Sequence, residues 1–354
     1  MAAVSDRSRA TERIVQICRS STADPVGLRL AVLEQIRRVV EFDSFAWMLT
    51  DPETEVGSAP LADVPCLSEL PRLIRLKYLT PTNRWTGMET PVALLGASTG
   101  GHLDHSLVWR EILAQFGVID VASLVFRCRY GCWSFLDLWR STGGTSFSTL
   151  DADFLGGITK PVTEALRRCQ ANTFSIAAPA TARGGPAVLV LSPELDVRAQ
   201  TLETDEYLRL LVPPGADRRR PIPAGAYNVA AQLLSVESGV DDHPPTARVH
   251  LAAGVWLTLR AARIGATVPA AGRDIAVTIE ASTPAERISL FGRACGLSVR
   301  ELELFAHLIT GADTHAIARQ MFLSENTVQD HLKSIFLKTG TSNRRTLLAR
   351  TVGR

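Results

Sequence analysis

The sequence lacks the features of a secreted or membrane-embedded chain. Its longest uninterrupted apolar stretches, such as residues 252–259, are far shorter than the roughly 18 residues that a membrane-spanning helix needs. Residues 1–13 are polar and charged, unlike a signal peptide. The six cysteines have irregular spacings, which do not suggest a disulfide framework. We therefore expect a cytoplasmic chain with reduced thiols and no membrane partner.

Two common switch chemistries are also missing. No GxxxxGK[ST] phosphate loop occurs, and no aspartate-plus-lysine pattern of a phosphoacceptor receiver domain precedes the C-terminal residues. The net charge of +2 gives little support for a polyanionic partner, but the charge is unevenly distributed. From Leu297 onward, eight Lys and Arg face five Asp and Glu, a local net charge of +3. This basic excess in the last sixth of the chain is typical of a nucleic-acid-binding appendage.

Turn residues and hydrophobic periods divide the chain into three blocks, of which the first spans residues 1–174. A polar, proline-rich stretch separates its first strand from a later hairpin. The predicted elements are helices at 12–18 and 28–40, a strand at 44–49 ended by Thr50-Asp51-Pro52, strands at 122–129 and 132–140 joined at Tyr130-Gly131, and a helix at 151–168. This order fits a small α+β sensor fold.

The second block, residues 186–283, follows an Ala/Pro/Gly-rich linker at 175–186. Its predicted strands are 187–191, the pair 247–251 and 256–263 joined at Ala253-Gly254, and 275–279. No internal repeat is visible in the sequence. We therefore predict an α+β multi-domain chain, in which two small sheet-plus-helix domains precede an all-α four-helix domain at residues 284–354.

The third block carries consistent helix signals. Ser298 and Glu301 form a capping box, and a residue able to cap a helix precedes each of the next two predicted helices. The signals along the block are an apolar face at Leu302, Phe305, Leu308 and Ile309, a stop at Gly311, caps at Asp313 and Ser324, a turn at Phe322-Leu323, a helix at 325–338, a stop at Gly340 and a helix at 344–352. Helix, short helix, tight turn and long helix is the order of a helix-turn-helix reader.

The third helix of this block has two different faces. Val328, Leu332 and Ile335 recur at i, i+4 and i+7, which predicts a buried stripe. The opposite stripe consists of Asn326, Asp330, Lys333 and Leu337, with Gln329 and Ser334 beside it. Such a face of amides, one acid and one base suits the donor–acceptor pattern of a DNA major groove.

The C-terminal block resembles the LuxR-type helix-turn-helix over nearly all of its last 58 residues, in order and without gaps. The matching motifs are Leu297-Ser-Val-Arg-Glu301, Gly311, Ile317-Ala318, Ser324-x-x-Thr327-Val328-x-x-His331, Ile335-x-x-Lys338 and Gly340. The resemblance implies a homodimer that binds double-stranded DNA, often with the fourth helices in contact. The family's base and phosphate contacts fall on Thr327, Gln329, Asp330 and Lys333, and we add Asn326, Ser334, Lys338 and Arg344 as candidate DNA contacts.

Two positions depart from the family's pattern. Lys or Arg is common where this chain has Gln329, and an apolar residue where it has Asp330. A carboxylate weakens non-specific attraction to phosphates, yet it can accept from a cytosine amino group. We therefore expect reduced non-specific affinity and a sequence preference at one position. His331 fits a phosphate contact and a core-edge residue equally well. For the block as a whole, the alternative to DNA binding is a helical bundle that docks to another protein.

The first two blocks resemble sensor modules. The first is similar to GAF domains at residues 42–45, 51–52, 132–140 and 147–148, and the second to PAS-like modules at 188–192, 254–257 and 275–280. The resemblance implies a one-component regulator that senses a small-molecule effector or a partner and dimerises. Trp47, Trp109, Trp133 and Trp139 are candidates for lining a ligand pocket, or they are simply core residues. No cofactor, metal site or catalytic residue is expected.

Three further motifs invite chemical interpretations. The segment from Gly96 to Gly100 matches a nucleophile elbow around Ser98, but Gly100-Gly101 replaces the helix that an elbow needs. His102 and His105 offer metal or haem ligands, although surface polar residues are the commoner case. Cys128 and Cys132 bracket the hairpin turn and suggest a redox pair or two ordinary strand cysteines. An esterase-like enzyme using Ser98 with a docking bundle, and a constitutive DNA-binding protein without an effector, remain alternatives.

Overall fold

The computed structural model describes residues 2–20, 24–174, 187–211, 224–251, 255–265 and 272–352. The predicted linker at 175–186 and the predicted turn at Ala253-Gly254 lie outside these residues. Across the described ranges, none of the helices is both long and apolar enough to span a membrane.

The first block contains five strands, with more helices than its sequence pattern predicted. Its helices are α1 (Ala2–Ser20), α2 (Pro25–Arg37), α3 (Leu70–Leu79), α4 (Leu95–Ser98), α5 (Leu107–Glu111) and α6 (Thr149–Asn172). Its strands are β1 (Ser44–Thr50), β2 (Gly57–Asp63), β3 (Val92–Leu94), β4 (Val118–Cys128) and β5 (Gly131–Ser141). Asp24 caps α2, and a capping box of Ser148 and Asp151 begins α6.

These five strands form an antiparallel sheet, sheet A, in the order β2-β1-β5-β4-β3. The predicted hairpin is confirmed, because Cys128 pairs with Gly131 across the tight turn. Gly131 has a φ of 134°, and a Cβ there would collide with the Pro52 carbonyl, so the turn requires glycine. One face of the sheet packs on α1, α2 and α6 through residues such as Trp47 and Leu136.

The second block repeats this strand order. Its helices are α7 (Leu202–Leu211) and α8 (Ala224–Glu237), and its strands are β6 (Ala187–Leu191), β7 (Val197–Gln200), β8 (Thr246–His250), β9 (Trp256–Arg263) and β10 (Ile275–Ala281). They form antiparallel sheet B in the order β7-β6-β10-β9-β8, which is the order of sheet A with every number raised by five. The same topology thus occurs twice without a visible sequence repeat.

The two blocks share one apolar core. Met48 and Phe135 of sheet A belong to the same buried cluster as Leu189, Val277 and Ile279 of sheet B. Helix α8 contacts β9 of its own block, and also α3 and β2 of the first block. Burial of this shared surface stabilises each sheet only in the presence of the other.

A buried ion pair also joins the blocks. The Arg248 side chain donates from Nε and Nη2 to the two carboxylate oxygens of Asp51, each at 2.7 Å, and the Asp51 side chain is fully buried. Burial alone would raise the pKa of Asp51, but the bonds from Arg248 outweigh it and lower the pKa. Arg248 Nη2 also donates to the Glu53 carboxylate at 2.8 Å, and the Ser289 hydroxyl donates to the same carboxylate at 2.9 Å. The cluster therefore connects both sheets to the third block.

The described residues of the third block form helices and no strand, as predicted. Its helices are α9 (Pro284–Cys295), α10 (Val299–Ile309), α11 (Thr314–Gln320), α12 (Glu325–Thr339) and α13 (Arg344–Val352). These described residues contain five helices instead of the predicted four, because α9 precedes the capping box at Ser298. Capping boxes begin α9 and α10, at Thr283 with Glu286 and at Ser298 with Glu301. The predicted α+β chain, with two antiparallel sheets and a C-terminal helical bundle, is thus confirmed.

Candidate nucleic-acid interface and ligand cavity

Helix α12 is held rigidly against the rest of its bundle. Asp313 caps α11, and the Ser324 hydroxyl caps α12 by accepting from the Thr327 amide at 3.1 Å. Between them, the chain turns at Phe322, whose φ of 56° lies in the left-handed region. The Leu323 amide closes this turn by donating to the Ala318 carbonyl at 2.8 Å. Local hydrogen bonds therefore fix the angle between the two helices.

The buried stripe of α12 is the predicted one. Val328, Leu332 and Ile335 are at most 2% exposed and pack in one cluster with Leu304 and Phe305 of α10. Because this stripe holds the helix on one side, the opposite side faces outward along its whole length.

The outward face of α12 carries five of the eight predicted DNA contacts. These exposed side chains are Asn326, Thr327, Gln329, Asp330 and Lys333. Asp330 and Lys333 pair at 3.0 Å with most of both side chains in solvent, so the pair is weak and can open when a phosphate competes for the lysine. His331 beside them is half-buried, and the two roles weighed for it stay open.

Ser334 and Lys338 have partners inside the bundle instead. The Glu301 carboxylate accepts from Ser334 at 2.6 Å and from Lys338 Nζ at 2.7 Å, and its side chain is only 4% exposed. Burial alone would raise the pKa of Glu301, but the bonds from Lys338, Ser298 and Ser334 outweigh it and set the pKa at about 2. Sequence reasoning identified the Glu301 capping box and missed this second role, because Ser334 and Lys338 lie more than thirty residues away along the chain.

Arg344, the last of the eight predicted contacts, is half-buried at the start of α13. Its Nη2 donates to the Thr314 hydroxyl at 2.6 Å, which ties α13 to the start of α11. This position keeps a cation near the α11 N-terminus, next to the outward face of α12.

A cavity of about 560 Å³ lies on the other face of sheet A. Strands β1, β2, β4 and β5 and helices α3 and α8 contribute to its wall, which is mostly apolar. Its main polar cluster joins Lys77 to Asp137 at 2.6 Å and Ser123 to the same carboxylate at 2.7 Å. The volume is within the range of about 300–1,000 Å³ typical of small-molecule sites.

Of the four predicted pocket tryptophans, Trp139 lines this cavity. Trp47 and Trp133 lie on the opposite face of sheet A, where Trp47 stacks on Phe126 with ring centroids 5.3 Å apart. Trp109 is partly buried beside the cavity wall, and its indole donates to the Val118 carbonyl at 2.8 Å. Strand alternation puts Leu136 and Trp139 on opposite faces, and Trp47, paired with Leu136, shares its face. Trp133 lies six residues from Trp139 and would share its face, but the register shift opposite Phe126 and Arg127 turns it to the other side.

The hairpin cysteines point to opposite faces of sheet A. Cys132 is fully buried in the core shared by the two sheets, whereas Cys128 packs toward the α6 face and lies 3.3 Å from the Trp133 indole nitrogen. Burial raises the pKa of Cys132 to about 12. The hypothesis of a redox pair is therefore wrong, because side chains on opposite faces of a sheet cannot bond.

The remaining chemical motifs lie on the surface. Ser98 is exposed at the end of the single-turn helix α4, and within the described ranges no hydrogen bond joins it to a histidine. The His102 and His105 rings stack 5.3 Å apart on an exposed loop. The acidic and imidazole atoms of residues 241–243 lie within 4.8 Å of one another, but Arg84 already donates to Asp241 at 2.5 Å. That carboxylate is thus engaged as an anchor between the blocks.

Comparisons with known proteins match the C-terminal helices. Residues 296–350 fit the family described as "Bacterial regulatory proteins, luxR family". Two curated relatives are each 46% identical over 48 residues: the probable csgAB operon transcriptional regulatory protein of Salmonella typhimurium and the CsgBAC operon transcriptional regulatory protein of Escherichia coli. The match covers 14% of this chain and 22% of the length of either relative.

Among solved structures, two of Escherichia coli SdiA align with most of the chain. The crystal structure in space group P6522 covers 98% of this chain and 96% of its own, with 11% identity and a TM-score of 0.35. The complex with octanoyl-rac-glycerol covers 98% and 94%, with 10% identity and a TM-score of 0.33. On the match to the family model and on the geometry of α10 to α13, the C-terminal helices of this chain form a LuxR-type helix-turn-helix domain.

Proposed function

We propose that the chain is a one-component, sequence-specific transcriptional regulator. Its C-terminal domain binds double-stranded DNA as a homodimer, with α12 in the major groove. The two sheet-containing blocks, a GAF-like and a PAS-like domain, control that binding in response to a small molecule held in the cavity on sheet A.

The exposed face of α12 carries this proposal. Asn326, Thr327 and Gln329 present hydroxyl and amide groups on one side of a helix whose opposite side is fixed in a core. These groups can donate to and accept from base edges, while Lys333 supplies a positive charge for a phosphate. Because both ends of the helix are capped, these side chains are presented without a folding step.

Control by the first two blocks is supported by four arginines whose hydrogen bonds join those blocks to the two ends of the third block. Arg167 donates to the Ala294 carbonyl at 2.8 Å, and Arg293 donates to that of Tyr130 at 3.1 Å. Arg248 donates to the carbonyl of Glu286 at 3.1 Å, next to the buried pair with Asp51. Arg350 of α13 donates to the carbonyl of Phe174, at the end of α6, at 2.6 Å. The hairpin of sheet A and strand β8 of sheet B thus bond directly to α9, and the residue Phe174 after α6 bonds to α13.

The domain boundaries 1–174, 186–283 and 284–354 belong to the proposal as well. The repeated strand order supports two related sensor modules, and the capping box at Thr283 supports a boundary just before α9. A ligand in the cavity controls DNA binding only if it prefers one arrangement of these domains over another.

Selection of DNA from a random library by the purified full chain tests the proposal. We expect a palindromic consensus, because a twofold protein reads a twofold site. Lys333→Ala should weaken binding to all sequences several-fold and reduce the slope of log affinity against log salt by about one. Arg38→Ala is the matched control, because Arg38 is an exposed cation in a one-turn ion pair on α2. No enriched sequence, or equal losses in both variants, would contradict the proposal.

Asp330→Ala separates specific from non-specific binding. Removing the carboxylate should raise affinity for random DNA and relax the preference at one base pair of the consensus. An unchanged consensus in this variant would rule out base reading by Asp330. Operator binding that is independent of any cavity ligand would favour the constitutive alternative.

A further inference from the structure

The guanidinium group of Arg29 is a buried cation without a carboxylate partner. Arg29 lies on α2, is 1% exposed and lines the cavity on sheet A. In the part of the chain that the structure describes, no carboxylate lies within ion-pair distance of it. Burial lowers the pKa of Arg29 to about 10, although the charge of Asp24 at the start of α2 acts to raise it, and the group is still charged at neutral pH.

Backbone carbonyls use only part of its donor capacity. Arg29 Nε donates to Pro25 at 3.0 Å, and Nη1 donates to Trp47 and Ala59, each at 2.9 Å. The register of β1 and β2 slips between Trp47 and Leu49, and Ala59 has a φ of 43°, so this bulge exposes carbonyls that the ladder does not satisfy. Among the described residues, none accepts a hydrogen bond from the two N–H groups of Nη2.

The charges of the cavity wall do not balance. Among the lining residues that the structure describes, Arg29 and Lys77 are the two cations, and Asp137 is the one carboxylate, already bonded to Lys77. The other lining residues are uncharged, and most are apolar. A buried positive charge in such surroundings is stabilised by an anion that hydrogen-bonds to it.

We propose that this cavity binds an amphipathic carboxylate, an organic acid with a hydrocarbon or aromatic body whose carboxylate accepts from Nη2 of Arg29. The apolar wall takes the body, and Trp139 and Phe135 provide flat surfaces for it. This assignment names the chemical class of the small molecule in the proposed function. It rests on that proposed function only for the effect of the ligand on DNA binding.

Isothermal titration calorimetry of the full chain with decanoate and decanamide tests the assignment. The two probes share a chain and a head of similar size and differ in charge. We expect decanoate to bind at least about tenfold more tightly, because a charge-assisted bond to a buried guanidinium is lost in the amide. Equal affinities, or no binding of either probe, would overturn the inference.

Arg29→Met removes the charge and keeps most of the apolar length. The affinity ratio of decanoate to decanamide should fall to near one, while decanamide binding reports that the cavity is intact. Arg37→Met is the matched control on the same helix, since Arg37 is exposed and lies outside the cavity wall, and it should keep the wild-type ratio. A wild-type ratio in Arg29→Met would exclude the pairing.

A cavity-filling variant covers the case in which Arg29→Met fails to fold. Ala46 of β1 lines the cavity, and Ala46→Phe should abolish binding of both probes. Decanoate binding that survives in Ala46→Phe would place the anion elsewhere on the protein and overturn the inference.

Measuring DNA affinity separately distinguishes the two proposals. Decanoate binding that depends on Arg29 without any change in operator affinity leaves the site intact and contradicts effector control. A chain that selects no DNA but discriminates decanoate from decanamide contradicts the proposed function alone. Operator binding combined with equal probe affinities contradicts the carboxylate assignment alone.

Discussion

Sheets A and B have the same strand order, but the faces that they contribute to their shared core are packed differently. In sheet B, Ala187 on the first strand is fully buried in a core shared with α8, whose Ala226, Ala230 and Ala231 allow close packing. In sheet A, Ala46 on the first strand faces the open cavity. The same topology therefore yields a filled core in one block and a ligand-sized space in the other. The elements that pack on each sheet, and not the strand order, therefore determine whether a core or a cavity forms.

The largest expected effect comes from removing the Arg248–Asp51 ion pair, which joins the two blocks. Arg248→Met leaves the Asp51 carboxylate buried and unpaired, which should lower the free energy of unfolding by about 3–5 kcal/mol. Denaturant unfolding measures it, with Arg38→Met as the exposed control expected to cost less than about 1 kcal/mol. Adding Asp51→Asn should recover part of the loss. A loss below about 1 kcal/mol in Arg248→Met would mean that the sheets are joined by apolar packing alone.

A matched pair of substitutions sharpens the difference between the inner faces. Ala187→Phe overpacks the core of sheet B and should cost about 1–3 kcal/mol or more. Ala46→Phe enters the cavity of sheet A and should cost less than about 1 kcal/mol, because no neighbour has to move. Thermal and denaturant unfolding of both variants provide the comparison. Equal costs would mean that the cavity is closed in solution.

The helical domain offers a reference outside both sheets. Glu301→Gln weakens the bonds from Lys338 and Ser334 and should lower the free energy of unfolding by about 1–3 kcal/mol at pH 7. Since the folded pKa of about 2 lies below the ordinary value of 4.5, the stabilisation is complete above pH 4.5 and disappears as the pH falls toward 2. The difference between wild type and variant, measured across this range, should shrink accordingly. A difference that is constant with pH would contradict the assignment.

A last comparison separates sheet A from sheet B by the pH dependence of stability. Burial, together with the charge of Arg287, lowers the pKa of His250 on β8 to about 4, and its Nε2 is buried without a partner. The folded state thus holds this histidine neutral, and stability falls as the pH drops from 6.5 toward 4. The histidines of the sheet A block, His102 and His105, are exposed. His250→Gln should remove this part of the pH dependence, and an unchanged profile would argue against it.

Sequence patterns predicted best where contacts are local. The caps at Ser298, Asp313 and Ser324 and the buried stripe of α12 were predicted and are confirmed, because each involves residues within two helical turns. Between β1 and β4, a strand was considered at 92–95, where β3 lies, but β2, α3, α4 and α5 were missed in what was predicted as a polar, proline-rich stretch. These elements are short and packed against distant residues, so their own periodicity is weak.

The candidate site residues show the same difference between local and long-range contacts. The polar outward face of α12 followed from helical spacing alone, whereas the partners of Ser334 and Lys338 depend on Glu301 in another helix. Arg29 was not singled out, because an arginine within an amphipathic helix is ordinarily solvated. Only the irregular pairing of β1 with β2 provides its buried partners, the carbonyls of Trp47 and Ala59.

By itself, the sequence determined the C-terminal helix-turn-helix domain, the hairpin at Gly131 and the absence of a long apolar run. Each of these depends on a local rule of capping, backbone freedom or hydrophobic length. The tertiary structure alone decided the shared core, the opposed faces of Cys128 and Cys132, and the cavity with its unpaired cation. Those features arise from pairings between residues far apart in the chain, and no local pattern specifies which distant surface a residue will meet.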